Sequence, residues 1–169
     1  MRWILILCRQ LGGVQVILLR MSKQLLMGDM LLLDIHIVLD STESFGAGSN
    51  DMFVLKFSSS GSLRWAKTIG STNSDSANSV IELSDGSIAV TGQIYQSGYS
   101  YDLVLLFMDS SGNIQRAHSF GGTSPDYAHS ASKAFDDGLI ITGYTSSYGN
   151  GSSDAITKSL LTNKAEGRI

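Results

Sequence analysis

The chain has 169 residues, of which 18 are glycine and 1 is proline, with 16% charged side chains and a formal net charge of −3. That length allows a sizeable buried core, while the acidic balance excludes the basic footprint expected of a nucleic-acid-binding protein. The single Cys8 excludes an internal disulfide framework and any multi-cysteine zinc site.

Residues 1–40 differ in character from everything after them and are read as a separate, atypical apolar segment. Met1–Cys8 places one Arg before an apolar run that ends Leu-Ile-Leu-Cys, a faint lipoprotein-like pattern. The run is short and Arg9 follows at once, which argues against a signal peptide. Gln24–Leu39 is apolar but contains Asp29 and Asp34. A spanning helix needs about 18 clean apolar residues, so no membrane span is expected. The clustered leucines also lack the 3.6-residue period of a surface helix. A further reading takes residues 14–40 as a repeat translated out of frame. With Gly12 as the reference glycine, the shifted codons allow Asp, Asp, Thr and Gly at +5, +15, +21 and +22, the offsets found after Gly70 and Gly121 downstream.

From Thr42 a Gly-rich connection leads into a clear repeat. Asp51–Ile69 reads as an apolar strand (Met52–Phe57), a Ser/Gly turn and a second strand (Leu63–Ile69), which is a β-hairpin pattern. A polar loop, Gly70–Asn78, precedes a third strand at Ser79–Leu83, the Ser84-Asp85-Gly86 turn and a fourth strand at Ser87–Ile94. The next copy has strands at Leu103–Met108, Ile114–Phe120, Ala131–Phe135 and Leu139–Tyr144. Asp51 to Asp102, Gly61 to Gly112 and Gly70 to Gly121 are each 51 residues apart. A further copy opens at Asp154 and then loses its pattern, with Thr157 and Ser159 where apolar residues are expected. Four short strands every 51 residues is the spacing of a β-propeller blade. The expectation is an all-β, incomplete β-propeller of four-stranded antiparallel blades over residues 41–169, with repeats starting near Asp51, Asp102 and Asp154.

The motifs Asp-Met-Phe-Val-Leu-Lys-Phe, Ser-Ser-Gly-Asn-Ile, Arg-Trp-Ala-Lys-Thr-Ile-Gly, Ser-Asp-Gly and Val-Thr-Gly resemble the roughly fifty-residue repeats of bacterial and archaeal surface β-propellers. The resemblance covers Thr42–Asp154 and extends to Gly12–Asp40 only if the frame is restored. Departures are Gln93-Ile94 after Gly92 and the missing Trp of the second copy, where Ala117 follows Arg116. The resemblance implies an extracellular or cell-surface setting and a propeller fold. It carries little about function, because one fold hosts many activities.

Asp51, Asp102 and Asp154 recur at the start of the first strand of each copy. They are calcium candidates, because carboxylates with loop carbonyls suit a hard cation; the structural reading is that each caps its own turn. Asp85 and Asp136 sit in tight turns, and Asp75 and Asp126 read as solvated loop residues. His36, His118 and His129 share no metal-ligand spacing, and no Gly-x-Ser-x-Gly elbow is present. No catalytic or cofactor-binding residue is assigned. Trp65 is expected to pack between blades. The loop tyrosines Tyr95, Tyr99, Tyr101, Tyr144 and Tyr148 are the candidates to face a ligand, since loop aromatics stack on sugars or anchor partners. The leading functional expectation is a non-enzymatic module for protein or carbohydrate interaction. The rivals are a hydrolase or oxidoreductase acting at a central channel, and a protein anchored to a membrane through residues 1–40. An incomplete ring with an apolar face at each end further implies self-association or missing blades.

Overall fold

The computed structural model describes residues 3–10, 13–24, 30–36, 51–58, 60, 62–96, 98, 100–134 and 138–160, with side chains described from residue 51 onward. All regular structure among them is β. The strands are β1 (Trp3–Gln10), β2 (Gly13–Gln24), β3 (Met30–His36), β4 (Met52–Phe57), β5 (Leu63–Ile69) and β6 (Ser76–Glu82). They continue as β7 (Ile88–Tyr95), β8 (Tyr101–Met108), β9 (Ile114–Phe120), β10 (Asp126–Lys133), β11 (Leu139–Thr145) and β12 (Asp154–Leu160). Tyr99 and Asp136 lie outside the described residues, as do 37–50 and 161–169. No helix among the described residues is long and apolar enough to cross a membrane.

The strands form three meandering sheets: β1–β5 (sheet I), β6–β9 (sheet II) and β10–β12 (sheet III). Every neighbouring pair is antiparallel. Sheet and sequence repeat are out of phase. Each repeat gives its first two strands to one sheet and its last two to the next, because its tight turns make hairpins while the loop after the second strand crosses between sheets. β3 fits this scheme: Met30 pairs with Phe57 as Ile88 pairs with Met108, one repeat later.

Sheet II is buried on both faces, which explains the continuous apolar run of β8. On one side Val80, Ile88, Val90, Val104, Leu106 and Met108 pack against Met52 and Val54 of sheet I. On the other, Ile81, Ala89, Leu103, Leu105 and Phe107 pack against Ala128, Leu139 and Ile141 of sheet III. The alternation of side chains along each strand delivers both layers from one sheet. Burial also falls across the sheet, from β6–β8 to a β9 that is exposed along almost its whole length.

Three strand expectations are corrected. β6 and β10 start at Ser76 and Asp126, earlier than the polar sequence suggests. A β-bulge between Ala77 and Ser79, repeated between Ala128 and Ser130, breaks the apolar alternation there. Asp75 and Asp126 are not solvated loop residues, each being about 1% exposed. The third correction is at β12, which pairs with β11 over its full length, Thr157 and Ser159 included. Thr142–Thr157 and Ile140–Ser159 take the places of Thr91–Leu105 and Ala89–Phe107 in sheet II. The polar residues are explained by the outward face of sheet III, where Thr142, Ala155, Thr157 and Ser159 are exposed.

Leu105 is fully buried between sheets II and III. Leu105→Ala is expected to destabilise the fold by about 2–5 kcal/mol through a residual cavity. Ser159→Ala, at the matching position type of the solvated face, is expected to stay within about 0.5 kcal/mol. Urea unfolding of both variants checks the pair.

Candidate functional site

The loops that carry the sheet-to-sheet crossings lead into β6 and β10. At each crossing a buried carboxylate holds the loop. Asp75 accepts the N–H groups of Ser71 and Tyr95, the latter at 2.8 Å. Asp126 accepts the Gly122 N–H at 3.1 Å, the Ser147 hydroxyl at 2.6 Å and the Thr145 hydroxyl. Thr145 Oγ1 in turn accepts the N–H groups of Ser147 and Tyr148, both at 3.2 Å. A carboxylate out of water is tolerated only when hydrogen-bonded in this way.

Asp102 stands differently. Its Oδ1 is buried without a hydrogen-bond partner among the described residues. A β-carbon on Gly121 would collide with both Asp102 and Asp126, so only glycine lets the two carboxylates flank the chain here. Burial first, and the Asp126 charge second, hold the Asp102 carboxyl above the ordinary value of 3.8. Asp154 caps its own loop, accepting the Gly151 N–H at 3.1 Å. The three calcium candidates stand at three different sheets: Asp51 just before β4, Asp102 in β8 and Asp154 in β12. Among the described residues no group of three or more His, Cys, Asp or Glu side chains is placed to hold a metal ion.

The tyrosines make the most extended feature. Tyr95 and Tyr101 are cross-strand partners in sheet II, with ring centroids 5.4 Å apart, edge to face. Tyr127 and Tyr144 are cross-strand partners in sheet III, with centroids 4.7 Å apart. Tyr101 stacks on Tyr127 at 5.7 Å and joins the pairs across the sheets, and His129 extends the row from Tyr144 at 5.2 Å. The four tyrosines are half-buried and His129 is exposed. Burial, then the Tyr144 and Tyr101 neighbours, raise the Tyr127 phenol above 10.0, so it is neutral at physiological pH. Beside the row, Asn78 occupies the bulge of β6 and donates to Gln93 Oε1 and to the Ala128 carbonyl, both at 2.6 Å.

Tyr148 stands apart, 58% exposed, with its hydroxyl donating to the Gly121 carbonyl at 2.7 Å. It borders a cleft of about 630 Å³ that also involves Phe120, Asp126, Asp154 and Lys158. Trp65 packs between sheets as expected: its indole N–H donates to the Ser110 carbonyl at 3.0 Å, and its ring lies against Gly112.

The row brings together Tyr95, Tyr101 and Tyr144 from the sequence candidates with Tyr127 and His129, and with Asn78 beside them, none of which the sequence had singled out for a ligand. All three lie in a stretch read as loop, where the bulge hides the strand. The repeated bulge offset, Asn78 to His129, is the signal that could have located them. No protein-family model and no curated protein matches this chain.

Because its folded pKa is raised, Asp102 favours the fold when protonated, and that contribution is lost as pH rises from 3.8 through the raised value. Asp102→Asn is expected to raise the melting temperature at pH 7, with the gain shrinking towards pH 3.8. Asp126→Ala is expected to do the reverse at pH 7, costing about 3 kcal/mol or more by orphaning several donors. Thermal melts across pH distinguish the two carboxylates.

Proposed function

We propose that this chain is a non-enzymatic β-propeller repeat module of a cell-surface or secreted protein that binds carbohydrate through its tyrosine row. The observation that carries the ligand assignment is the unbroken succession Tyr95–Tyr101–Tyr127–Tyr144–His129 across two sheets. Aromatic rings offer large, rigid contact area and a polar tip, which suits the apolar faces and hydroxyl edges of sugars. The Asn78–Gln93 amide pair beside the row adds donors and acceptors beyond the bonds it already makes. The row contains no carboxylate, lysine or arginine, so the ligand class is a neutral oligosaccharide laid along several rings.

The propeller reading is supported by the stacking of meandering sheets through two apolar layers, with exposed outer strands. The inner strands stay close, the Ala131 N–H of β10 donating to Ser79 Oγ of β6 at 3.2 Å. Sheets held together on one side and open on the other form wedges, the element from which a propeller is assembled.

Calorimetric titration with neutral cello-, manno- and chito-oligosaccharides tests the proposal. At least one series is expected to bind, with affinity rising with chain length. Tyr101→Ala and Tyr127→Ala are each expected to weaken binding about tenfold, equivalent to about 1.4 kcal/mol. The absence of binding by every series, or full affinity in both variants, would remove the tyrosine row as the site.

A further inference from the structure

We propose that the Asn78–Gln93 amide pair makes the tyrosine row selective for N-acetylated sugar units, by pairing with the acetamido group of the ligand. The inference rests on the carbohydrate reading of that row and names the kind of sugar it takes.

The orientation of the pair is set by the backbone. The Ala128 carbonyl can only accept, so the Asn78 atom that meets it at 2.6 Å is Nδ2. The second hydrogen of Nδ2 goes to Gln93 Oε1, also at 2.6 Å. Turning the Gln93 amide over would set donor against donor. One backbone carbonyl therefore orders two side-chain amides in series. What the pair can still offer follows by inventory: Asn78 has its Oδ1 acceptor, and Gln93 has its two Nε2 hydrogens.

The pair lies against the rings. Ala128, which orders it, stands between Tyr127 and His129 of the row. Gln93 and Tyr95 are two residues apart in β7 and share a face of sheet II. Both amide side chains are half-buried, as the tyrosines are. The fold does not require amides here. Sheet III repeats the bulge, and the positions 51 residues on are His129 and Tyr144, whose rings meet at 5.2 Å. One backbone arrangement thus holds a polar pair in sheet II and a stacking pair in sheet III.

An acetamido group brings one N–H donor, one carbonyl acceptor and a methyl group. The N–H matches Asn78 Oδ1, the carbonyl matches Gln93 Nε2, and the methyl matches a neighbouring phenol face. A hydroxyl on the same ring carbon brings one oxygen and no methyl, and forfeits both the apolar contact and the amide-to-amide match. Sites built around such polar matches discriminate strongly against analogues that lack them.

Calorimetric titration of the full chain with chitotetraose and cellotetraose tests this, because the two share a backbone and differ only by acetamido in place of hydroxyl on each ring. Chitotetraose is expected to bind about tenfold more tightly or better. Gln93→Glu keeps an acceptor for Asn78 but removes the donor to the ligand. It is expected to bring the two affinities within about threefold of each other by weakening chitotetraose alone. Gln93→Met, which has neither amide nor charge, is expected to do the same. Tyr127→Ala, by contrast, is expected to weaken both sugars by one factor and keep the preference. Equal binding of the two sugars, with Tyr127→Ala weakening both, would overturn the N-acetyl assignment and leave the row as a sugar site. So would a preference that survives both Gln93 variants, or binding of manno-oligosaccharides alone. Failure of every series to bind would remove the assignment and the row together.

Discussion

The carboxylates of Asp75 and Asp126 are the points on which the arrangement of sheets depends. Each is almost wholly removed from water, and each collects donors from the crossing loop and from the strand beyond it. Leaving water would be prohibitively costly for a lone carboxylate, and the loop N–H groups offset that cost only in one geometry. The loop is therefore held, and the direction in which the chain enters the next sheet is set with it. The two apolar layers on either side of sheet II follow, because they require neighbouring sheets to arrive at a fixed spacing.

Asp102 shows the other side of the same constraint. Glycine at position 121 lets a second carboxylate approach Asp126, and that second carboxylate lacks a partner for Oδ1 among the described residues. The crossing thus places a well-satisfied and a poorly satisfied acid beside each other, and the second is pushed towards its neutral form. Like charges in a partly desolvated site behave in this way without any special device.

The aromatic side chains divide into two environments with different chemistry. Near the crossings, the tyrosines are half-buried and touch one another across two sheets. Near the outer strands, Phe107 and Phe120 lie under the cationic side chains of Arg116 and Lys158. Both are generated by the same repeat, and the difference comes from substitution at equivalent positions, Arg116 standing where the earlier copy has Trp65.

Much of the strand structure was legible in the residues. The 51-residue offset located the hairpins, and the continuous apolar run at Leu103–Met108 marked a strand covered on both faces, as found. Turn chemistry was equally direct: Asp85 and Asp109 accept N–H groups two residues on, at Ser87 and Ser111, each at 2.9 Å. These are local properties, written in side-chain alternation and short-range hydrogen bonding. The starts of β6 and β10 were not legible, because a bulge interrupts the alternation on which strand reading rests. Nor was the burial of Asp75 and Asp126, since a carboxylate in a Ser/Gly-rich stretch looks solvated until its donors come from residues some twenty positions away, Tyr95 and Thr145. The sequence by itself determined the all-β class, the repeat and most hairpins, through interactions between near neighbours. Only the tertiary structure decided that the sheet is out of phase with the repeat, that four tyrosines from two sheets form one row, and that the outward face of sheet III is solvated. Those outcomes depend on which sheet stands next to which, and that is settled by burial across long separations in the chain.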